Sequence, residues 1–179
     1  MKTRRFRMLT VLLISAILVI GSVATVYAAS ISSLKYQGKG KVSITFADSV
    51  KYDSVKVTAK DNSGKSYSVT GIKTSATGIT FTIKGYKTGK TYKITVSGFS
   101  DGDKASKTFK IYSKSEAINI AKKKAKKMGA STFADVNAKG KNYKSSSYCW
   151  YVTFTSGEYS YKCYVSQQTG KILYFKKSS

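Results

Sequence analysis

Few residues of this chain are equipped for chemistry, and their spacing says what that chemistry would be. The sequence contains no histidine, so neither a His-based triad nor an H-E-x-x-H zinc site can be assembled from it. Cys149 and Cys163 are its two cysteines and the candidates for a disulfide. If "TSG" at 155–157 is a three-residue loop, Phe154 faces Glu158 and the two cysteines stand directly opposite each other. The apolar alternation gives a different register. It puts Trp150, Val152 and Phe154 on one face with Tyr161, Cys163 and Val165, and needs a two-residue turn at Ser156-Gly157. A slip of one residue turns a whole strand over, and exposing Trp150 and Phe154 is the costlier error. The second register is therefore expected, with Cys149 on the opposite face and no disulfide.

Other candidates are weaker. Asp101 and Asp103 flank a glycine as calcium ligands do, but Lys104-Ala105 follows where an oxygen ligand is required. An ordinary turn and no metal are expected there. Lys122, Lys123, Lys126 and Lys127 make a dense cationic run, the candidate anion-binding patch. The stretch "VSQQTGKIL" (165–173) interrupts two apolar runs. Gln167 to Thr169 supply polar turn positions and Gly170 accepts a positive φ, so it reads as the corner of a hairpin. No catalytic residues and no cofactor follow from any of these, and the chain is expected not to be an enzyme.

The N-terminus carries a basic segment (MKTRRFR), an uncharged apolar run and Val26-Tyr27-Ala28, the pattern of a secretory signal peptide cleaved after Ala28. The alternative is an uncleaved anchor, since Met8 to Ala29 is long enough to span a bilayer. The formal charge is +24, with four cations (Lys2, Arg4, Arg5, Arg7) in that leader. Beyond it the chain bears +20 on lysine alone, without Arg, His or Pro. Such a field attracts polyanions. Lysine offers a hydrated point charge rather than the arginine fork that reads bases and grips phosphate bidentately. Anionic wall polymers or lipid surfaces are thus better partners than specific nucleic acid; the alternative is that the lysines merely keep an exported protein soluble.

Two kinds of element must hold these residues. From Leu34 to Tyr112 the apolar positions alternate: Val42-Ile44-Phe46, Val55-Val57-Ala59, Tyr67-Val69, Ile79-Phe81-Ile83, Tyr92-Ile94-Val96 and Phe109-Ile111. DNSG, TSATG, YKTGK and SDGD separate them, which predicts an antiparallel sandwich over 31–112. After Tyr112 the period changes to that of a helix. Ser113 and Glu116 fit a capping box, Ala117, Ile120, Ala121, Ala125 and Met128 share a face, and Gly129 ends the segment. Strands are expected at Phe133–Ala138, Tyr148–Phe154, Tyr159–Val165 and Ile172–Phe175. The fold class is an all-β sandwich (31–112) followed by a small α+β unit (113–179), one helix packed on an antiparallel sheet.

Two stretches carry family resemblance. "IKGYKTGKTYKITVSGFS" (83–100) resembles the E–F corner of fibronectin type III and bacterial Ig-like domains. That implies Tyr92 as the corner tyrosine, its hydroxyl bonded to backbone and its ring in the core. "SKSEAINIAKKKAKKMG" with "CWYVTFTSGEYSYKCYVSQQTGKIL" resembles a PepSY domain, through Glu116-Ala117-Ile118, Ala121, Tyr161, Cys163, Val165 and Thr169 to Leu173. Ser166 stands where that family has Asp. The resemblance implies a secreted, non-catalytic modulator that restrains a peptidase in trans. The other expectation, from charge, is a lysine-rich adhesion module for the cell wall or another anionic surface.

Overall fold

The computed structural model describes residues 29–144 and 147–179. The leader expected over 1–28 lies outside the described residues. Alternation over 31–111 resolves into eight strands: β1 (Ile31–Gly38), β2 (Lys41–Phe46), β3 (Tyr52–Asp61), β4 (Ser66–Tyr67), β5 (Val69–Ser75), β6 (Gly78–Ile83), β7 (Lys90–Phe99) and β8 (Lys104–Ile111). They form two antiparallel four-stranded sheets, ordered β1-β2-β6-β5 and β4-β3-β7-β8. Named by chain order, these are the A-B-E-D and C′-C-F-G sheets of an Ig-type Greek key. Val42, Ile44, Phe81 and Ile83 from the first sheet meet Tyr92, Ile94, Val96 and Ile111 from the second, all nearly inaccessible.

Tyr92 is the corner residue expected. Its hydroxyl accepts from the backbone N–H of Lys87 at 2.7 Å and donates to the carbonyl of Lys87 at 2.8 Å. Its ring is fully buried against Phe109 and Tyr67. The single strand expected through Tyr67 and Val69 is instead two, in different sheets. Tyr67 is held to the second sheet by its hydroxyl on Asp61 (3.0 Å) and its ring on Tyr92, whereas Val69 pairs with Ile83 of the first. The chain crosses between sheets at Ser68.

Beyond the sandwich come α1 (Lys114–Lys126), β9 (Ala134–Tyr143), β10 (Ser147–Ser156), β11 (Tyr159–Ser166) and β12 (Ile172–Ser178). The four strands make an antiparallel sheet ordered β12-β11-β10-β9, with α1 packed on it. Both halves of the capping box form. Ser113 Oγ accepts from Glu116 N–H, and Glu116 Oε2 accepts from Ser113 N–H at 2.8 Å. Ala117, Ala121 and Ala125 are fully buried, so the helix lies close on Val152, Phe154, Tyr161, Cys163 and Val165. Met128 does not join that face and is 42% exposed. The helix caps at Lys127, Gly129 turns the chain at φ 89°, and Ala130 takes the inward position with its N–H on the Ala125 carbonyl.

The register between β10 and β11 pairs Trp150 with Val165, Val152 with Cys163 and Phe154 with Tyr161. This is the face set that the alternation favours. The turn is one residue later than that reading required: Ser156 pairs with Tyr159, and the loop is Gly157-Glu158. Gly157, at φ 58°, takes the first loop position, which type II′ turns reserve for glycine.

Candidate functional site

The corner at 166–171 is held by backbone and serves as a joint. Ser166 Oγ accepts from Thr169 N–H (3.2 Å), a serine turn where the resembling family has Asp. Ser166 N–H reaches the Lys171 carbonyl and Gly170 N–H the Ser166 carbonyl, with Gly170 at φ 67°. The two glutamines between them hold the sandwich. Gln168 Oε1 accepts from Tyr36 N–H at 2.9 Å, and its Nε2 donates to the Leu34 carbonyl at 2.7 Å. β1 is the edge of its sheet, so this carboxamide takes the place of a missing strand. The Gln167 carbonyl accepts from Tyr112 N–H, and Trp150 Nε1 donates to the Tyr112 carbonyl at 2.8 Å. Tyr148 completes the joint, its ring edge-on to Tyr36 and pressed against Gly38 and Gly140.

Glu116 links the same two parts. Besides capping α1 it pairs with Lys110 of β8 at 2.5 Å. Its partial burial opposes ionisation, but Lys110 and the two groups of Ser113 outweigh that and hold the carboxyl below its ordinary range.

Of the candidate anion patch, the structure brings Lys122, Lys123 and Lys126 together with Asn119 around Phe133, in a groove of about 360 Å³. The ammonium groups of Lys122 and Lys126 stand 5.1 and 5.9 Å from the Phe133 ring centre, within cation–π reach. Lys127, at the helix cap, does not line this groove. Asp101 accepts from Asp103 N–H at 2.9 Å, an Asx turn.

The two cysteines lie back to back. Cys163 faces α1, while Cys149 pairs with Ser166 on the other face; both are free and buried. Burial pushes their thiols up, to about 11 for Cys149 and about 12 for Cys163.

That other face is where sequence reasoning missed a feature. Lys139, Tyr151, Tyr164 and Tyr174 stand in one row across the four strands. Tyr151 and Tyr174 lie 4.8 and 6.2 Å from Tyr164, ring centre to ring centre. Tyr143, two positions beyond Lys141 on β9, leans back to within 4.8 Å of Tyr164. In the register the row of Cys149 and Ser166 lies between Tyr143 and Tyr164, and Cys149 is buried on this face although the helix does not cover it. The signal was present as tyrosines at outward positions of neighbouring strands, but it needs the register to be seen. No family model matches the chain, and no curated protein matches it.

Proposed function

We propose that the chain is an exported, non-catalytic binding protein whose helix-on-sheet unit is a PepSY-type modulator of a secreted peptidase, acting in trans. The supporting observation is that both segments carrying the PepSY resemblance build one unit. Glu116-Ala117 starts and seats the helix, and Thr169-Gly170-Lys171 closes the β11–β12 corner. The test mixes residues 29–179 with the secreted metallopeptidases of the producing organism. A dose-dependent fall in the activity of one of them is expected; unchanged activity of all of them at micromolar concentrations would overturn the reading.

A second reading, retention on an anionic wall or lipid surface, is favoured by charge. Residues 113–179 hold thirteen lysines against three carboxylates. Among the described residues, ion pairs form at Lys90–Asp61 and Lys110–Glu116, which leaves the lysines beyond α1 unneutralised. Retention on isolated walls that is lost as salt rises past about 0.15 M, where charge is screened within about 8 Å, supports this reading. Salt-independent retention counts against it.

A further inference from the structure

We propose that the sheet face opposite α1 is a binding track for an extended phosphate-linked polyol polymer. It rests on the second reading and gives that reading a place and a chemistry. The track begins at Lys162 and Lys176, which pair directly across β11 and β12, and passes over Tyr151, Tyr164 and Tyr174. It continues past Tyr143 to Ser147 and Ser166. Those two serines also line a cavity of about 220 Å³ between the sheet and the sandwich, whose far wall is Lys35. From Lys162 to Ser166 the strand rises about 13 Å, so the track is a strip for a short run of an extended chain.

The chemistry of the occupant follows from the two residue types. Four lysines (Lys139, Lys141, Lys162, Lys176) are exposed on this face. The single carboxylate placed there, Asp135, lies beside the row of Lys162 and Lys176, at the end where the track begins, and receives the hydroxyl of Thr155 at 3.1 Å. The complement is therefore a chain of repeated anionic groups. Between the lysines the surface is paved with tyrosine rings, tilted 43–45° where they approach within 4.8 Å. Tyrosine gives an apolar face with a hydroxyl rim, which suits a partner whose units carry both C–H edges and hydroxyl groups. A base that intercalates needs separated rings, and these rings touch. Arginine, the usual partner of nucleic-acid phosphates, is absent from residues 29–179. A phosphate-linked polyol meets each of these conditions without a base to stack.

The experiment uses residues 29–179 and three polyanions of matched charge: poly(glycerol phosphate), oligothymidylate and polyglutamate. Binding is measured by calorimetry, and lysine acylation is mapped by mass spectrometry with and without polymer. Poly(glycerol phosphate) is expected to bind tightest and to protect Lys139, Lys141, Lys162 and Lys176 while Lys122, Lys123 and Lys126 stay reactive. The Lys162→Glu/Lys176→Glu variant and Tyr174→Ala are each expected to weaken binding about tenfold, and Lys122→Glu/Lys123→Glu by less than about threefold. Protection confined to the helix lysines, equal losses in both lysine variants, or a preference for oligothymidylate or polyglutamate overturns the track while leaving charge-driven retention standing. Absence of binding even at low salt overturns both. The protection map needs no variant, so it decides the matter even where a substitution disturbs folding.

Discussion

Gln168 and Tyr36 stand far apart in sequence, yet the carboxamide of Gln168 accepts the Tyr36 backbone N–H at 2.9 Å while its amide nitrogen reaches the neighbouring Leu34 carbonyl at 2.7 Å. One side chain thus makes both bonds of a strand and fastens the helix-on-sheet unit to the free edge of the sandwich. Replacing it by Ala returns two backbone groups to water at the edge, so the cost is expected to be about 1–3 kcal/mol, with the loss falling on the joint. Measured by hydrogen exchange, the Tyr36 N–H should lose protection in Gln168→Ala while the Tyr112 N–H, held by the Gln167 carbonyl, keeps it. Unchanged protection of Tyr36 in the variant would show that the carboxamide is not what holds that edge.

What the sequence made legible, and what it hid, divides along a physical line. Alternation and capping are local, so the strands of the sandwich, the Ser113–Glu116 box and the Tyr92 corner are readable from neighbouring residues. The β10–β11 faces follow from burying Trp150 and Phe154, although the turn is displaced by one residue because Gly157 is needed at the first loop position. Gln167 and Gln168 read as mere turn residues because their partners are distant backbone atoms, which no periodicity reports. The tyrosine face was hidden for a related reason: Tyr143, Tyr151, Tyr164 and Tyr174 become neighbours only when four strands are in register.

Gly38 tests the other half of the joint. It has φ 91°, and a Cβ there would fall 2.4 Å from the ring of Tyr148. Gly64 has a similar φ of 83° but open space around it. Gly64→Ala should therefore cost only the left-handed backbone term, about 1–2 kcal/mol. Gly38→Ala adds the displacement of an aromatic ring and should cost clearly more in urea unfolding. Equal losses in the two variants would mean that the ring yields without penalty.

Asp61 should dominate the acid behaviour of the sandwich. Its carboxylate accepts from the Ser63 hydroxyl (2.6 Å) and N–H, from Lys65 N–H and from the Tyr67 hydroxyl, with Lys90 at 3.8 Å. The Ser63 hydroxyl leads in favouring the charged form and, with the other donors, outweighs burial, so the carboxyl is pushed down to about 2. A folded-state value below the unfolded one, about 3.9, means stability that is complete above pH about 4 and lost as pH falls toward about 2. Asp61→Asn should flatten the stability curve across that window. Parallel curves for parent and variant would assign the acid transition elsewhere.

Tyr143 is expected to act as the lid on Cys149. Burial raises the thiols of Cys149 and Cys163 to about 11 and about 12, so neither is appreciably ionised at neutral pH and native alkylation should be slow at both. Their covers differ, however. Cys163 lies under α1 among Val152, Phe154 and Val165, whereas Cys149 lies outside that core, in the row that separates Tyr143 from Tyr164, whose ring centres are 4.8 Å apart. Tyr143→Ala should then raise alkylation of Cys149 about tenfold or more and leave Cys163 unchanged, because a thiolate must be both formed and reachable to react. Tyr174→Ala, on the same face but one strand beyond the β11 partner of Cys149, should change neither. Peptide mapping after a timed exposure to iodoacetamide reads both sites at once. Equal acceleration at the two cysteines would indicate general loosening of the sheet, and acceleration at Cys163 alone would place the Tyr143 ring on the wrong thiol.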